Sequence, residues 1–139
     1  MINKGNIISK VTIYNLDVPL IKPYKLSYNT FFSFEPLLIH ILDDEGNEGW
    51  GEQHISPGSS SETRDGGWTF ARLISSLILN KTIDDAKEII LSHSSNSIVA
   101  SSAIYTAIEM LEKNDVLNHK SSLKLKLLSL IHISEPTRL

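Results

Sequence analysis

An α+β domain is what this 139-residue sequence predicts, and three observations predict it. Segments rich in Ile, Val, Thr and Tyr lie in the first half of the chain. Apolar residues at helical spacing lie in the second half. The two kinds of segment do not alternate, as they would in a βαβ fold, so strands come first and helices after.

The first strand is expected within residues 7–18. Val11 and Ile13 fall on one parity there, and Tyr14, Leu16 and Val18 on the other. That switch near Asn15 implies either a bulge or a strand covered on both faces. Pro19 and Pro23 then punctuate a loop that ends near Thr30. Residues 37–42 form the second strand, with Leu37, Ile39 and Ile41 on one face. His40 shares the opposite face with Leu38 and Leu42, and a lone strand histidine is read as structural before it is read as a ligand. Asp43-Asp44-Glu45-Gly46-Asn47 is turn chemistry, with Gly46 free to take positive φ, and residues 48–53 return as the third strand. One long loop and one tight turn join the three strands into an antiparallel meander.

Beyond Ser59 the pattern becomes helical. Ser59 to Thr63 offers several hydroxyl caps, and Phe70, Ile74, Leu77 and Ile78 recur at helical spacing, with Asn80 as the stop. Thr82 caps a second helix over 83–92, with Asp84 and Asp85 at its positive end. After a polar break at 93–97, a third helix over 98–113 carries Ala100, Ala103, Ala107 and Leu111 on one stripe. Such a stripe permits close approach to a neighbouring element, although the helix propensity of alanine explains it equally well. Trp50 and Trp68 are assigned to the core.

Composition narrows the function by exclusion. A net charge of -3 opposes a nucleic-acid role. The absence of cysteine excludes disulfides and thiol chemistry. Neither a secretory leader nor an apolar run of bilayer length is evident, so a cytoplasmic protein without membrane contact is expected, and Asn80-Lys81-Thr82 is a sequon by chance. Phosphate loops, dinucleotide glycine fingerprints and His-x-x-x-His helices are missing. Asp43, Asp44 and Glu45 diverge from a tight turn, which makes them solvated turn acids and not a cation site. Glu52 and His54 are better candidates, because they stand where the last strand gives way to a loop. Residue chemistry alone stops at a soluble α+β domain, and a stand-alone binding or dimerisation module stays open.

One motif goes further. Leu16-Asp17-Val18-Pro19-Leu20-Ile21-Lys22-Pro23-Tyr24 and, more specifically, Asp44-Glu45-Gly46-Asn47-Glu48-Gly49-Trp50-Gly51-Glu52 resemble the N-terminal domain of the mandelate racemase and muconate-lactonising branch of the enolase superfamily. Glu35 to Ile41 is similar to its second strand, and Ala103 to Ile108 to the helix that leads towards its barrel. Three positions depart from the pattern: Glu109-Met110 replaces the usual Trp-Asp, and Tyr105 replaces a common acid.

The resemblance implies an enolase-like N-terminal capping domain over 1–117, a three-stranded meander followed by a three-helix bundle, with the catalytic (β/α) barrel missing. Residues 118–127 are then a linker towards that barrel. Residues 128–138 resemble one translated frame of a sequencing adapter, so 128–139 is expected to be a non-native tail. Full-length relatives abstract a proton next to a carboxylate and hold the enediolate on Mg²⁺. The resemblance therefore implies an isomerase parent (racemase, epimerase or cycloisomerase) or a lyase parent such as a sugar-acid dehydratase. Its partners would be its own barrel, a small carboxylate and, as a homo-oligomer, further copies of itself. Catalytic residues and metal ligands belong to the barrel, so this chain carries none and is inactive alone. Its part is substrate capping, through Leu26, Tyr28 and Thr30 in a first loop and His54, Ser56 and Pro57 in a second. Phe31 and Phe32 add either apolar wall or core. A cap without its barrel leaves apolar surface uncovered. The chain is thus expected to unfold at low urea concentration, and a midpoint typical of a robust domain would contradict that expectation.

Overall fold

A computed structural model describes residues 5–113. The linker expected at 118–127 and the tail expected at 128–139 lie outside the described residues. The chain order is β1 (Ile8–Asn15), β2 (Val18–Lys25), β3 (Thr30–Phe34), β4 (Leu37–Asp43), β5 (Glu48–Gln53), α1 (Arg64–Ile78), α2 (Ile83–His93) and α3 (Ile98–Leu111), with a single 3₁₀ turn at Ser94–Asn96. The α+β order holds. β1, β4 and β5 form an antiparallel sheet in the order β1-β4-β5. Helix α3 packs on β4 and β5, α1 against β1, and α2 against the other two helices.

Two expectations about the first half are corrected. The stretch from Pro19 to about Thr30 is not a plain loop: it carries β2, which pairs with β3 as a separate two-stranded antiparallel sheet. Proline cannot donate to a ladder, so Pro19 and Pro23 are tolerated only because β2 is an edge strand, and its register shifts between Pro19 and Tyr24. The parity switch near Asn15 is the boundary between two strands, neither a bulge nor a doubly covered strand. The register irregularity of β1 lies at its other end, between Ile8 and Lys10. There the extra residue brings Ile8 into the same core that Val11 and Ile13 pack against.

Alternation on β4 is strict: Leu37, Ile39 and Ile41 are buried towards the helices, while Leu38, His40 and Leu42 are half-buried on the outer face. Ile74, Ile78, Ile90, Ile104 and Ile108 complete a core dominated by isoleucine. Leu77, expected on the core face of α1, is instead an exposed residue, and Ala71 is fully buried. Trp50 and Trp68 are half-buried, not central. Trp50 lies on the outer sheet face, with its ring stacked 4.0 Å from that of His40, and His40 Nε2 lies 2.9 Å from Glu48 Oε2. His40 is thus a structural residue. The helix starts follow the hydroxyl signals, since Thr63, Thr82 and Ser97 each accept a first-turn backbone N–H.

The alanine stripe has a partner. A Cβ built on Gly49 would lie 1.9 Å from the Ala107 carbonyl oxygen, and one built on Gly51 would lie 1.9 Å from that of Ala103. Helix α3 therefore rests on β5 backbone to backbone, at a separation only glycine against alanine permits.

Asp43 is the other correction. It is not a solvated turn acid but is buried, 3% exposed. Its Oδ1 accepts from the backbone N–H groups of Glu45 (3.0 Å) and Asn47 (2.8 Å), and its Oδ2 from the side-chain amides of Asn6 (2.7 Å) and Asn47 (2.8 Å). Burial alone would push this carboxyl upward. The hydrogen bonds outweigh burial and hold it below the usual carboxylate range.

Two predictions follow from this packing. Gly51→Ala should destabilise the domain by about 3 kcal/mol or more, above the ~1–3 kcal/mol typical of overpacking, because the obstacle is a helix backbone and not a rotatable side chain. Gly5→Ala, with no atom within 4 Å of its Cβ, is the neutral control, and paired urea titrations compare the two. A carboxyl depressed in the folded state contributes stability that is fully present above its unfolded value, about 3.9, and is lost as pH falls through the folded value. Asp43→Asn should therefore flatten the acid limb of the stability-versus-pH curve, at a cost of about 2 kcal/mol near neutral pH.

Candidate functional site

The two loops singled out by the sequence are neighbours in space. The first is the turn of the β2–β3 hairpin, closed by the Leu26 N–H donating to the Asn29 carbonyl at 2.7 Å and by the Thr30 N–H donating to Asn29 Oδ1 at 2.8 Å. Leu26 and Thr30 are half-buried at its base, and Tyr28 stands 50% exposed at its tip.

The second loop leaves β5 at His54 and reaches α1 at Arg64, and it is fixed at both ends. Ile55 is buried and meets α1 where a Cβ on Gly67 would lie only 2.3 Å from Ile55 Cδ1. At the far end Glu62 Oε1 accepts from the Val99 N–H at 3.2 Å, in the first turn of α3. Between these anchors the chain turns tightly: Ser59 Oγ donates to the Ser56 carbonyl at 2.7 Å, and Gly58 takes φ +92°. Ser56 is half-buried and Pro57 exposed.

His54 joins the loops. Its ring lies 4.9 Å from that of Phe34 and 6.3 Å from that of Phe31, edge-on to both. Tyr24 stands against both phenylalanines, at 6.0 Å and 6.5 Å. Both imidazole nitrogens are shielded, and neither has a hydrogen-bond partner among the described residues. A neutral imidazole always carries one N–H, so this arrangement leaves a shielded donor unmet. Phe31 is buried, 4% exposed, and is cluster core, whereas Phe32 is 70% exposed on the other side of β3. At the root of both loops, the Arg64 guanidinium and the Glu35 carboxylate pair at 2.6 Å. They line a polar cavity of about 250 Å³ that Gln53 and Trp68 also share. Glu52, the other strand-end candidate, is exposed on the outer sheet face opposite Leu38.

Four residues here escaped the sequence reading. Tyr24 lies in the stretch expected to be loop, and Phe34 in the stretch between that loop and the second strand. Arg64 carried no motif. Gly58 had a usable signal, because Pro57-Gly58 is a turn dipeptide.

The chemical capacity of this surface is limited. Tyr28 and His54 are the titratable side chains within 26–30 and 54–60, and no carboxylate or thiol accompanies them. Among the described residues, no group of three or more His, Cys, Asp or Glu could hold a metal ion. Asp43 and Glu45 do not fit a Mg²⁺ shell either, since every lone pair Asp43 offers is directed at an amide. No helix among the described residues is long and apolar enough to cross a membrane. What the two loops do offer is a hydroxyl- and ring-bearing surface carried on a rigid scaffold.

Comparison with solved structures decides the fold. The dipeptide epimerase from Cytophaga hutchinsonii, solved with Mg and the dipeptide D-Ala-L-Val, matches at a TM-score of 0.71 and 18% identity, over 79% of this chain and 31% of that one. The fold is the enolase-like N-terminal domain fold. The N-succinyl Arg/Lys racemase from Bacillus cereus matches the domain at a TM-score of 0.70 and 17% identity, over 79% and 31% of the two chains. The muconate lactonizing enzyme from Pseudomonas fluorescens, complexed with muconolactone, matches at 0.68 and 22%, over 81% and 32%. The chain thus spans about a third of the length of the mandelate racemase and muconate lactonizing enzyme structures it resembles. No protein-family model matches the sequence, and no curated protein matches it.

His54 can be tested through stability. Replacing shielded, unmatched nitrogens by apolar atoms of similar shape removes a penalty of ~1–3 kcal/mol. His54→Phe is therefore expected to raise the stability of this enolase-like domain by about 1 kcal/mol, read from the urea midpoint. A fall in midpoint would show that the imidazole is already satisfied.

Proposed function

We propose that this chain is the substrate-capping and specificity domain of an enolase-superfamily enzyme that acts by proton abstraction next to a carboxylate, a racemase, epimerase or cycloisomerase. The observation that carries this reading is the pairing of two loops, 26–30 and 54–60, on one side of a scaffold whose solved counterparts are racemases, epimerases and a lactonizing enzyme. The chain's own side chains would bind and orient substrate and exclude water. Leu26, Tyr28 and Thr30 supply one wall, and His54, Ser56 and Pro57 the other. Water exclusion raises the electrostatic leverage of whatever charge the reaction develops.

The base and the metal ligands would come from a barrel that follows in the parent, where such barrels keep their chemistry. Mg²⁺, present in structures of two dipeptide epimerases of the same fold, would supply charge stabilisation there, held by ligands from the barrel. Alone, the chain would not turn over substrate. A sugar-acid dehydratase parent would use the same cap, because the groups that separate the two reactions belong to the barrel.

Sequencing the uninterrupted gene beyond Leu127 should reveal roughly 200 further residues, the length of a typical barrel, with a Lys-x-Lys strand end and then spaced Asp, Glu and Glu. A natural stop codon at that point would reject the proposal in favour of a stand-alone binding or dimerisation module. Calorimetric titration of the 139-residue chain with Mg²⁺ should show no micromolar binding, whereas tight stoichiometric binding would place the metal in the cap and overturn the division of labour.

A further inference from the structure

We propose that Tyr28 and Gly58 form a latch that binds the two loops into one body, with Gly58 as a positioning residue for the first loop. A Cβ built on Gly58 would lie 2.9 Å from Tyr28 Cδ2 and 3.3 Å from Cε2, so the phenol ring rests directly on the Gly58 backbone. Two independent constraints therefore meet at residue 58. Its φ of +92° disfavours any side chain, and the ring above it leaves a side chain no room. Either alone would favour glycine. Together they make the turn and the contact a single requirement.

The latch matters because of how the hairpin is held. β2 pairs only with β3, and their two-stranded sheet is separate from the β1-β4-β5 sheet. A lone two-stranded hairpin is marginal without further packing. At its middle, the Phe31 and Phe34 rings engage His54. At its tip, Tyr28 engages Gly58. One attachment would leave the tip free to swing about the aromatic cluster, whereas two attachments tie its position to loop 54–60. That loop in turn is fixed to α1 through Ile55 and to α3 through Glu62. The first loop is thereby referenced to the helical core through the second. The half-exposed remainder of the Tyr28 ring is presented at a set position and angle. The purpose of this rests on the capping role proposed above; the contact itself does not.

The test is a spectroscopic signature in the complete 139-residue chain. A ring seated on Gly58 displaces at least one Gly58 Hα resonance upfield. Tyr28→Phe should keep that displacement, because the ring and not the hydroxyl makes the contact. Tyr28→Leu should abolish it while the methyl shifts of Ile39 and Ile41 stay native, reporting an intact core. Gly58→Ala should move the Tyr28 ring resonances and leave the Leu26–Asn29 amide protected from exchange. An unshifted Gly58 Hα in the unmodified chain would overturn the latch even if no variant folds. So would a displacement that survives Tyr28→Leu. Failure of the capping role would look different: the ring-current signature would be present, while a barrel-containing parent would turn over substrate indifferently to Tyr28→Leu.

Discussion

The contact of α3 with β5 sets everything else in this domain. Carbonyl oxygens of Ala103 and Ala107 lie where the β-carbons of Gly51 and Gly49 would be, so the closest approach in the core is between backbones. A sheet normally needs a layer of side chains between itself and a helix. Here that layer is absent along β5, and the helix is displaced towards the end strand. The isoleucines of β4, α1 and α2 then fill the space on the other side of α3. Because β5 is pinned in this way, the chain leaving it at Gln53 has a fixed origin and direction. His54 and the loop beyond it start from a rigid base, which is what a positioned binding loop requires.

The legible part of the sequence was the part governed by local rules. Helix starts follow hydroxyl caps at Thr63 and Thr82, and the β4–turn–β5 hairpin follows alternation and Gly46. The packing role of Gly49 and Gly51 against an alanine stripe was readable as two halves, a pair of glycines and a row of alanines, but only the structure brings them into register. The illegible part was the hairpin of β2 and β3. Val18-Pro19-Leu20-Ile21-Lys22-Pro23 carries two prolines, and the rule that prolines break strands holds for central strands, not for an edge that pairs on one side only. Nor could spacing show that Phe31 and Phe34 would flank a histidine twenty residues further on, since such a contact is a property of tertiary placement. Asp43 was misread for a related reason. Neighbouring acids on a turn do diverge, but divergence sent Asp43 inward onto Asn6, a partner remote in sequence.

The loops illustrate a conflict between local and global consistency. Most of the domain satisfies its polar groups: caps are filled, and the buried carboxylate of Asp43 is matched by amides. Shielded polar atoms with no partner among the described residues remain at Gln53, His54 and Arg64, and within the helices at Ser75 and Ser101. Departures from consistency of this kind collect at functional positions. Gln53, His54 and Arg64 lie together where β5 ends and α1 begins, at the root of the two loops. The domain is thus least self-sufficient where the proposed cap would face its substrate.

Exposed apolar surface tells the same story by its distribution. Among the described residues, thirteen large hydrophobics remain exposed, and seven of them (Tyr14, Leu16, Val18, Ile21, Tyr24, Tyr28 and Phe32) fall between the end of β1 and β3. The isoleucine core does not need them, being complete within the β1-β4-β5 sheet and the helices. A hairpin that adds little to the core and yet carries Ile21 fully exposed and Phe32 70% exposed is costly to keep for folding alone. Under the proposed function it has a use that the core cannot supply, an apolar rim attached to a rigid body at the aromatic cluster and at Gly58. The same geometry separates the two tasks by residue: glycine and alanine hold the scaffold, while rings and hydroxyls make the surface. A change in the loops can therefore alter what is recognised without disturbing the contact of α3 with β5.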